Sequence, residues 1–327
     1  MREAKILNLK KPCIYSYTTF SIFFAVISDN AWPWIYNNFI QIFYGHQWNI
    51  LTFYKHEWLL ADCPLLSYYE IPKKTIIYNW KHCLQEAILE FINAEYYMYF
   101  YADYYYIPGS KYYKKEHNFH ELFVYGYDLL NNKVYFGDNV MQGRFIQYEC
   151  RFQDMEMAFW CVLVEQEYKN KIYLIRTKPE IDCEINTQAI KTGLENYLYS
   201  VKDIDFEEQQ NCTYGFLAID LIYKECIRVA ENKTLIDYRP YHLLYEHAVL
   251  MELRVEYLLY KKLINCNEEL LKGYKELGKG YIILRNMVLR YIGNRDEKLI
   301  ERIIYRFGSL IKKERELTVE FLYKIKN

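Results

Sequence analysis

His120-Glu121-Leu122-Phe123-Val124-Tyr125-Gly126-Tyr127-Asp128 is followed after four residues by Lys133-Val134-Tyr135-Phe136-Gly137-Asp138, and the two runs together have the pattern of a β-hairpin. Leu122 and Val124 share parity with His120, whereas Phe123, Tyr125 and Tyr127 point the other way, the period-two pattern of a strand. Gly126 leaves a gap where another backbone can approach. The second run reads as the returning strand of a hairpin. A strict two-residue turn at Asn131-Asn132 would leave Asp138 about five residues out of register with His120. A broader loop centred near Leu129, or a bulge, brings them opposite each other, and this is the expectation.

An imidazole and a carboxylate at the end of a hairpin acquire a use when a thiol joins them. Cys13 is the candidate, in Lys11-Pro12-Cys13-Ile14-Tyr15-Ser16, with a helix expected from Cys13 to about Ser28. A free cysteine is mostly protonated at neutral pH, and only its thiolate is a nucleophile. The positive end of a helix and a neighbouring imidazole both favour the thiolate. A third group, here Asp138, fixes the ring and tautomer of the imidazole. The sequence therefore predicts a Cys13/His120/Asp138 triad, with the Cys13 backbone N–H as one oxyanion donor. The side-chain amide of Asn8 is the candidate for a second.

Composition narrows the rest. The chain has 327 residues, 41 basic and 42 acidic, so its net charge of −1 gives no argument for nucleic acid or an anionic membrane as partner. No run of about 18 apolar residues suggests a membrane span. Met1 to Lys11 is basic and Phe20 to Ile27 apolar, but Tyr15 to Thr19 interrupts the apolar run and no small-residue cleavage pattern follows, so a signal peptide is not expected. Nine irregularly spaced cysteines without a Cys-x-x-Cys pair suggest neither a disulfide framework nor structural zinc, and a reducing cytoplasm is the expected setting. The outlier is the aromatic share, 19% with 37 tyrosines. Nine tyrosines fall between Tyr96 and Tyr113, around Asp103 and the Ile107-Pro108-Gly109 turn. They read either as core and interface or as an aromatic wall for a substrate. Tyr17, Tyr105 and Tyr106 are the candidate substrate or oxyanion contacts among the tyrosines.

The fold class expected is α+β, with a boundary between residues 182 and 183. Residues 1–182 mix helices and strands: strands at Asn49–Tyr54, Thr75–Tyr78, Tyr96–Phe100, Arg144–Tyr148 and Lys171–Thr177, and helices at His82–Asn93 and Asp154–Gln166. Residues 183–327 read as helices without a convincing strand. Asn186-Thr187 is the expected cap of the first, and Gly278 with Gly280 predicts a break in a later one.

Other chemistry-bearing groups have competing readings. Cys63, in Asp62-Cys63-Pro64, is a rival nucleophile without a long helix behind it. His117, His120 and Asp138 could be read as metal ligands, but their spacing is weak evidence and no metal is expected. His242, Glu246, His247 and Arg254, with Asp237 and Arg239, are either satisfied core groups or the lining of an interdomain cleft. His247 is kept as a candidate substrate contact.

His-x5-Gly-Tyr-Asp, an aspartate after a short second strand and a cysteine opening an early helix together resemble the papain-like fold of C39-type peptidases. More narrowly, Tyr106-Ile-Pro-Gly-Ser110, His120–Asp128, Tyr214-Gly215, Asp237-Tyr-Arg239, Glu246-His247 and Met251-Glu-Leu-Arg254 resemble acyltransferases of the butirosin biosynthesis protein H type, found in bacterial antibiotic clusters. Papain-like amide synthases of clostridial polythioamide biosynthesis are similar. The resemblance implies a papain-like N-terminal domain carrying an all-helical C-terminal one. It also implies transfer of an acyl chain from a phosphopantetheinyl carrier-protein thioester to Cys13, then to an amine or diamine, with no further cofactor. Papain-like enzymes carry a glutamine about six residues before the nucleophile, whereas position 7 here is leucine. A cysteine peptidase and a non-catalytic carrier-docking protein on the same scaffold are the alternatives.

Overall fold

Eleven helices and ten strands are named below from a computed structural model, which describes residues 3–54, 59–139, 144–162, 167–202, 211–232, 234–265 and 268–326. In chain order they begin with β1 (Ala4–Ile6), α1 (Thr18–Val26), α2 (Trp32–Asn37), β2 (Ile42–Gly45) and β3 (Ile50–Phe53). Next come α3 (Leu59–Asp62), β4 (Leu66–Pro72), α4 (Lys74–Trp80), α5 (Leu84–Asn93), β5 (Tyr97–Asp103), β6 (Phe119–Asp128) and β7 (Lys133–Asp138). They continue with β8 (Ile146–Arg151), α6 (Phe152–Trp160), β9 (Lys171–Thr177), α7 (Thr187–Tyr199) and β10 (Cys212–Tyr214). The last are α8 (Gly215–Asn232), α9 (Arg239–Tyr260), α10 (Glu268–Asn294) and α11 (Glu297–Lys324). The class is mixed α+β, with an antiparallel sheet and a helical C-terminal region.

The chain divides into two units, Met1–Asn30 with Glu57–Asp182, and Ala31–His56 with Cys183–Asn327. A boundary after Asp182 was expected; the membership of Ala31–His56 was not. That segment belongs with the helices because β2 pairs with β10 and because the buried Arg254 of α9 donates to the carbonyls of Tyr36 in α2 and of Phe39 after it.

In the first unit the sheet runs β4-β9-β5-β6-β7-β8, with β1 on the far half of β6. Alternation sorts its side chains. Met98, Phe100, Leu122, Val124 and Phe136 lie on one face and are fully buried, with α5 and α6 packed on the sheet. Tyr99, Tyr101, Glu121 and Phe123 lie on the other. The β6–β7 register shifts between Val124 and Gly126, the expected bulge. The loop is four residues long, tied by Asp128, whose carboxylate accepts from the Asn131 backbone N–H (2.9 Å) and side chain (2.7 Å). Gly126 has the role its gap suggested: a Cβ there would stand 2.8 Å from the Lys5 carbonyl oxygen.

Two expectations fail here. Thr75–Tyr78 lies in helix α4, not in a strand, and the strand is Leu66–Pro72. Pro72 is tolerated because β4 is an edge strand. The helix expected from Cys13 starts only at Thr18. Pro12 and the aromatic run after it favour extended backbone, and the Tyr15 carbonyl is bound by the Asn139 side chain (2.7 Å) outside any helical ladder.

The second unit packs α8 to α11 and α7 with the three-stranded sheet β10-β2-β3. β10 and β2 are strands the sequence did not reveal. Asn186 caps α7 as expected, accepting from the Ala189 N–H at 2.9 Å. The break expected at Gly278 and Gly280 is absent, since α10 is continuous. A Cβ on Gly280 would meet Leu310 at 2.3 Å, so this glycine serves close packing of α10 on α11.

Candidate functional site

His120 and Asp138 lie at one end of the large sheet, where β6 begins and β7 ends. Phe123 faces Gly137 and Val124 faces Phe136. Asp138 therefore has the parity of Phe136, and His120 that of Leu122, on the same face two residues out of direct opposition. Tyr104 lies beside both. Its hydroxyl donates to the Asp138 carboxylate, and its ring meets that of His120 edge-on at 6.3 Å between centroids. Burial, then the Asp138 charge, holds the Tyr104 phenol well above its ordinary pKa.

The hydrogen bond that orients His120 runs elsewhere. Its Nδ1 lies 3.1 Å from the Glu121 carbonyl oxygen and 3.6 Å from a Glu121 carboxylate oxygen. A carbonyl only accepts, so Nδ1 carries the proton and Nε2 is left with its lone pair. Among the described residues Nε2 has no hydrogen-bond partner, and the side chain is 36% exposed. The register sets His120 and Asp138 diagonally on that face, and Tyr104 donates to the Asp138 carboxylate.

Cys13 is half-buried, in a bend five residues before α1, so the helix dipole invoked for it is not at its back. What positions its segment is Asn139. This side chain donates to the Tyr15 carbonyl (2.7 Å) and accepts from the Ser21 hydroxyl (2.9 Å). The loop after Cys13 and the start of α1 are thereby fastened to the residue following Asp138. Thr19 meets the Tyr99 hydroxyl at 3.5 Å, which places α1 on the sheet face opposite to that of His120.

The remaining candidates scatter. Asn8 is exposed, and its backbone carbonyl accepts from the Tyr97 hydroxyl at 2.6 Å. Tyr17 is the N-cap residue of α1, and its carbonyl accepts from the Ser21 N–H and hydroxyl. Tyr105 stacks on His117 at 4.5 Å, and Tyr106 hydrogen-bonds Cys161. The rival Cys63 is buried.

His247 is removed as a substrate contact. It is fully buried in the second unit, with Nε2 donating to the Ile40 carbonyl (2.8 Å) and Nδ1 3.1 Å from Glu314. Tyr197 (2.7 Å) and Tyr281 also donate to that carboxylate. Arg254 is buried and donates to the carbonyls of Tyr36 (2.8 Å) and Phe39 (3.1 Å), neutralising the C-terminal end of α2. His242 and Glu246 pair at 3.2 Å in the same unit, both buried. These are core groups, the first of the two readings the sequence allowed.

One cavity in the first unit, about 390 Å³, is lined by Tyr113, Lys133, Glu149, Cys150, Arg151 and Asp154 among others. Its charges are mutually paired, Lys133 with Glu149 (2.6 Å) and Arg151 with Asp154 (2.9 Å). Among the described residues, no group of three or more His, Cys, Asp or Glu side chains could hold a metal ion, and no helix is long and apolar enough to cross a membrane. No protein-family model matches the chain, and no curated protein matches it.

Proposed function

We propose that the chain is a cysteine acyltransferase on a papain-like scaffold, forming an amide between a carrier-bound acyl group and an amine. Cys13 is the nucleophile and His120 its base, with the Glu121 carbonyl in the orienting role first given to Asp138. The observation that supports this reading is the double hydrogen bond of Asn139, which ties the chain after Cys13 to the residue following β7, at the end of the sheet that also holds His120, with α1 on the opposite face. The thiol proton passes to Nε2, sulfur attacks the thioester carbonyl and the carrier thiol leaves with that proton. An amine then attacks the acyl-enzyme, giving up its proton through His120 and releasing the Cys13 sulfur. The half-buried and buried tyrosines around this sheet end favour the amine over water by limiting solvent.

The test is amide formation from an acyl N-acetylcysteamine thioester and a diamine, followed by product mass. Cys13→Ala abolishes product and His120→Ala lowers it by about 10²-fold or more. Product formed undiminished by Cys13→Ala refutes the assignment. Peptide cleavage without added amine would instead identify a peptidase. A second reading, a non-catalytic docking protein, is favoured by one observation: the buried Asp138 carboxylate accepts from the Tyr104 hydroxyl. It predicts no product, and Cys13 alkylation by iodoacetamide no faster than that of a free thiol.

A further inference from the structure

A second imidazole is better equipped with a carboxylate than His120. Asp103, the last residue of β5, has a fully buried side chain. One of its oxygens accepts from the backbone N–H groups of Tyr105 and Asn118, each at 3.1 Å. The other lies 2.5 Å from Nδ1 of His117. With one carboxylate oxygen accepting from two backbone N–H groups, the other accepts from Nδ1, and Nε2 is the ring nitrogen that faces outward. The His117 side chain is 58% exposed, and among the described residues Nε2 has no hydrogen-bond partner. Its ring is fixed by stacking on Tyr105 at 4.5 Å and 21°, with Tyr106 at 6.2 Å and Phe119 at 6.5 Å.

Stabilising the turn does not require this histidine, because the turn N–H groups are held by the other carboxylate oxygen. What the arrangement adds is a base in a fixed orientation, a counter-ion for its protonated form and an aromatic surface around it.

We propose that His117 and Asp103 form a general-base dyad that hydrolyses esters or thioesters of small aromatic or apolar acyl groups held against Tyr105, Tyr106 and Phe119. Nε2 takes one proton of a water molecule while the water oxygen bonds to the acyl carbon. The bond to the alkoxide or thiolate then breaks, and the leaving group departs with the proton returned by the imidazolium. The products are the carboxylic acid and the alcohol or thiol, and Asp103 keeps its charge throughout.

The dyad is independent of Cys13, so the test is run in the full chain carrying Cys13→Ala, with p-nitrophenyl acetate as probe. Hydrolysis persists in that background and falls about tenfold or more when His117→Gln is added, together with the limb of its pH profile. Asp103→Asn keeps an oxygen for the two turn N–H groups but loses the charge, and it lowers the rate in the same direction. If Asp103→Asn unfolds the turn, seen as a lower thermal midpoint, the exposed His117→Gln variant decides alone. Equal rates with and without His117→Gln overturn the proposal. Loss of amide formation in Cys13→Ala bears only on the acyltransferase reading.

Discussion

Lys73 is fully buried, with Nζ donating to the carbonyls of Tyr101 (2.7 Å) and Phe159 (2.9 Å) and lying 4.3 Å from the Phe159 ring centroid. Burial lowers its pKa from 10.5 to about 7. The folded chain therefore binds this proton less well than the unfolded chain does. Below pH 7 both states carry it, and the folded state bears the whole penalty of about 5 kcal/mol, from a shift of roughly 3.5 units at 1.36 kcal/mol each. Between about pH 7 and 10.5 only the unfolded chain remains protonated, so stability rises with pH across that window. Lys73→Met removes the titration while leaving two carbonyls without their donor, a cost of about 1–3 kcal/mol each. Urea unfolding of both proteins at a series of pH values measures the difference, in which the many tyrosines cancel. The stability of the natural chain relative to Lys73→Met should rise by about 3 kcal/mol from pH 7 to 9.5. A difference independent of pH would show that Nζ titrates normally and that the burial argument is wrong.

Three further perturbations address particular contacts. Gly126→Ala drives a Cβ against the backbone of Lys5 and Ile6, and should cost about 1–3 kcal/mol. Hydrogen exchange checks it through the Leu7 amide, which now donates to the Tyr125 carbonyl and should lose protection. Glu314→Gln alters the carboxylate shared by His247, Tyr197 and Tyr281 inside the second unit and should lower unfolding free energy by about 1–3 kcal/mol, measured in urea. Asn139→Ala frees the Tyr15 carbonyl and the Ser21 hydroxyl, and should slow acyl-enzyme formation while leaving circular dichroism unchanged.

The hairpin, α5, β9 and the long C-terminal helices were legible because each carries an unbroken period of two or of 3.6 residues. Thr75–Tyr78 misled because three β-branched residues and a tyrosine say little about the backbone: α4 is closed by Lys81 in the left-handed region, and the sheet edge went to the preceding segment. β10 and the allegiance of Ala31–His56 to the helices are long-range pairings, and local pattern does not encode them. At the site, strand parity was readable, and it placed His120 and Asp138 on one face. Their diagonal offset and the insertion of Tyr104 depended on a bulge and on a loop whose path no spacing gives. Asn139 was missed because its partners are a backbone carbonyl and a hydroxyl more than 110 residues away in sequence. The His117–Asp103 pair was not legible because it closes a loop of irregular backbone between β5 and β6, where neither period applies.

The most direct measurement is peptide mapping of the protein quenched after brief exposure to an acyl thioester without amine. An acyl mass is expected on the peptide carrying Cys13, lost in Cys13→Ala and formed much more slowly in His120→Ala. An adduct confined to another residue, or one whose rate on Cys13 is indifferent to His120, would contradict it.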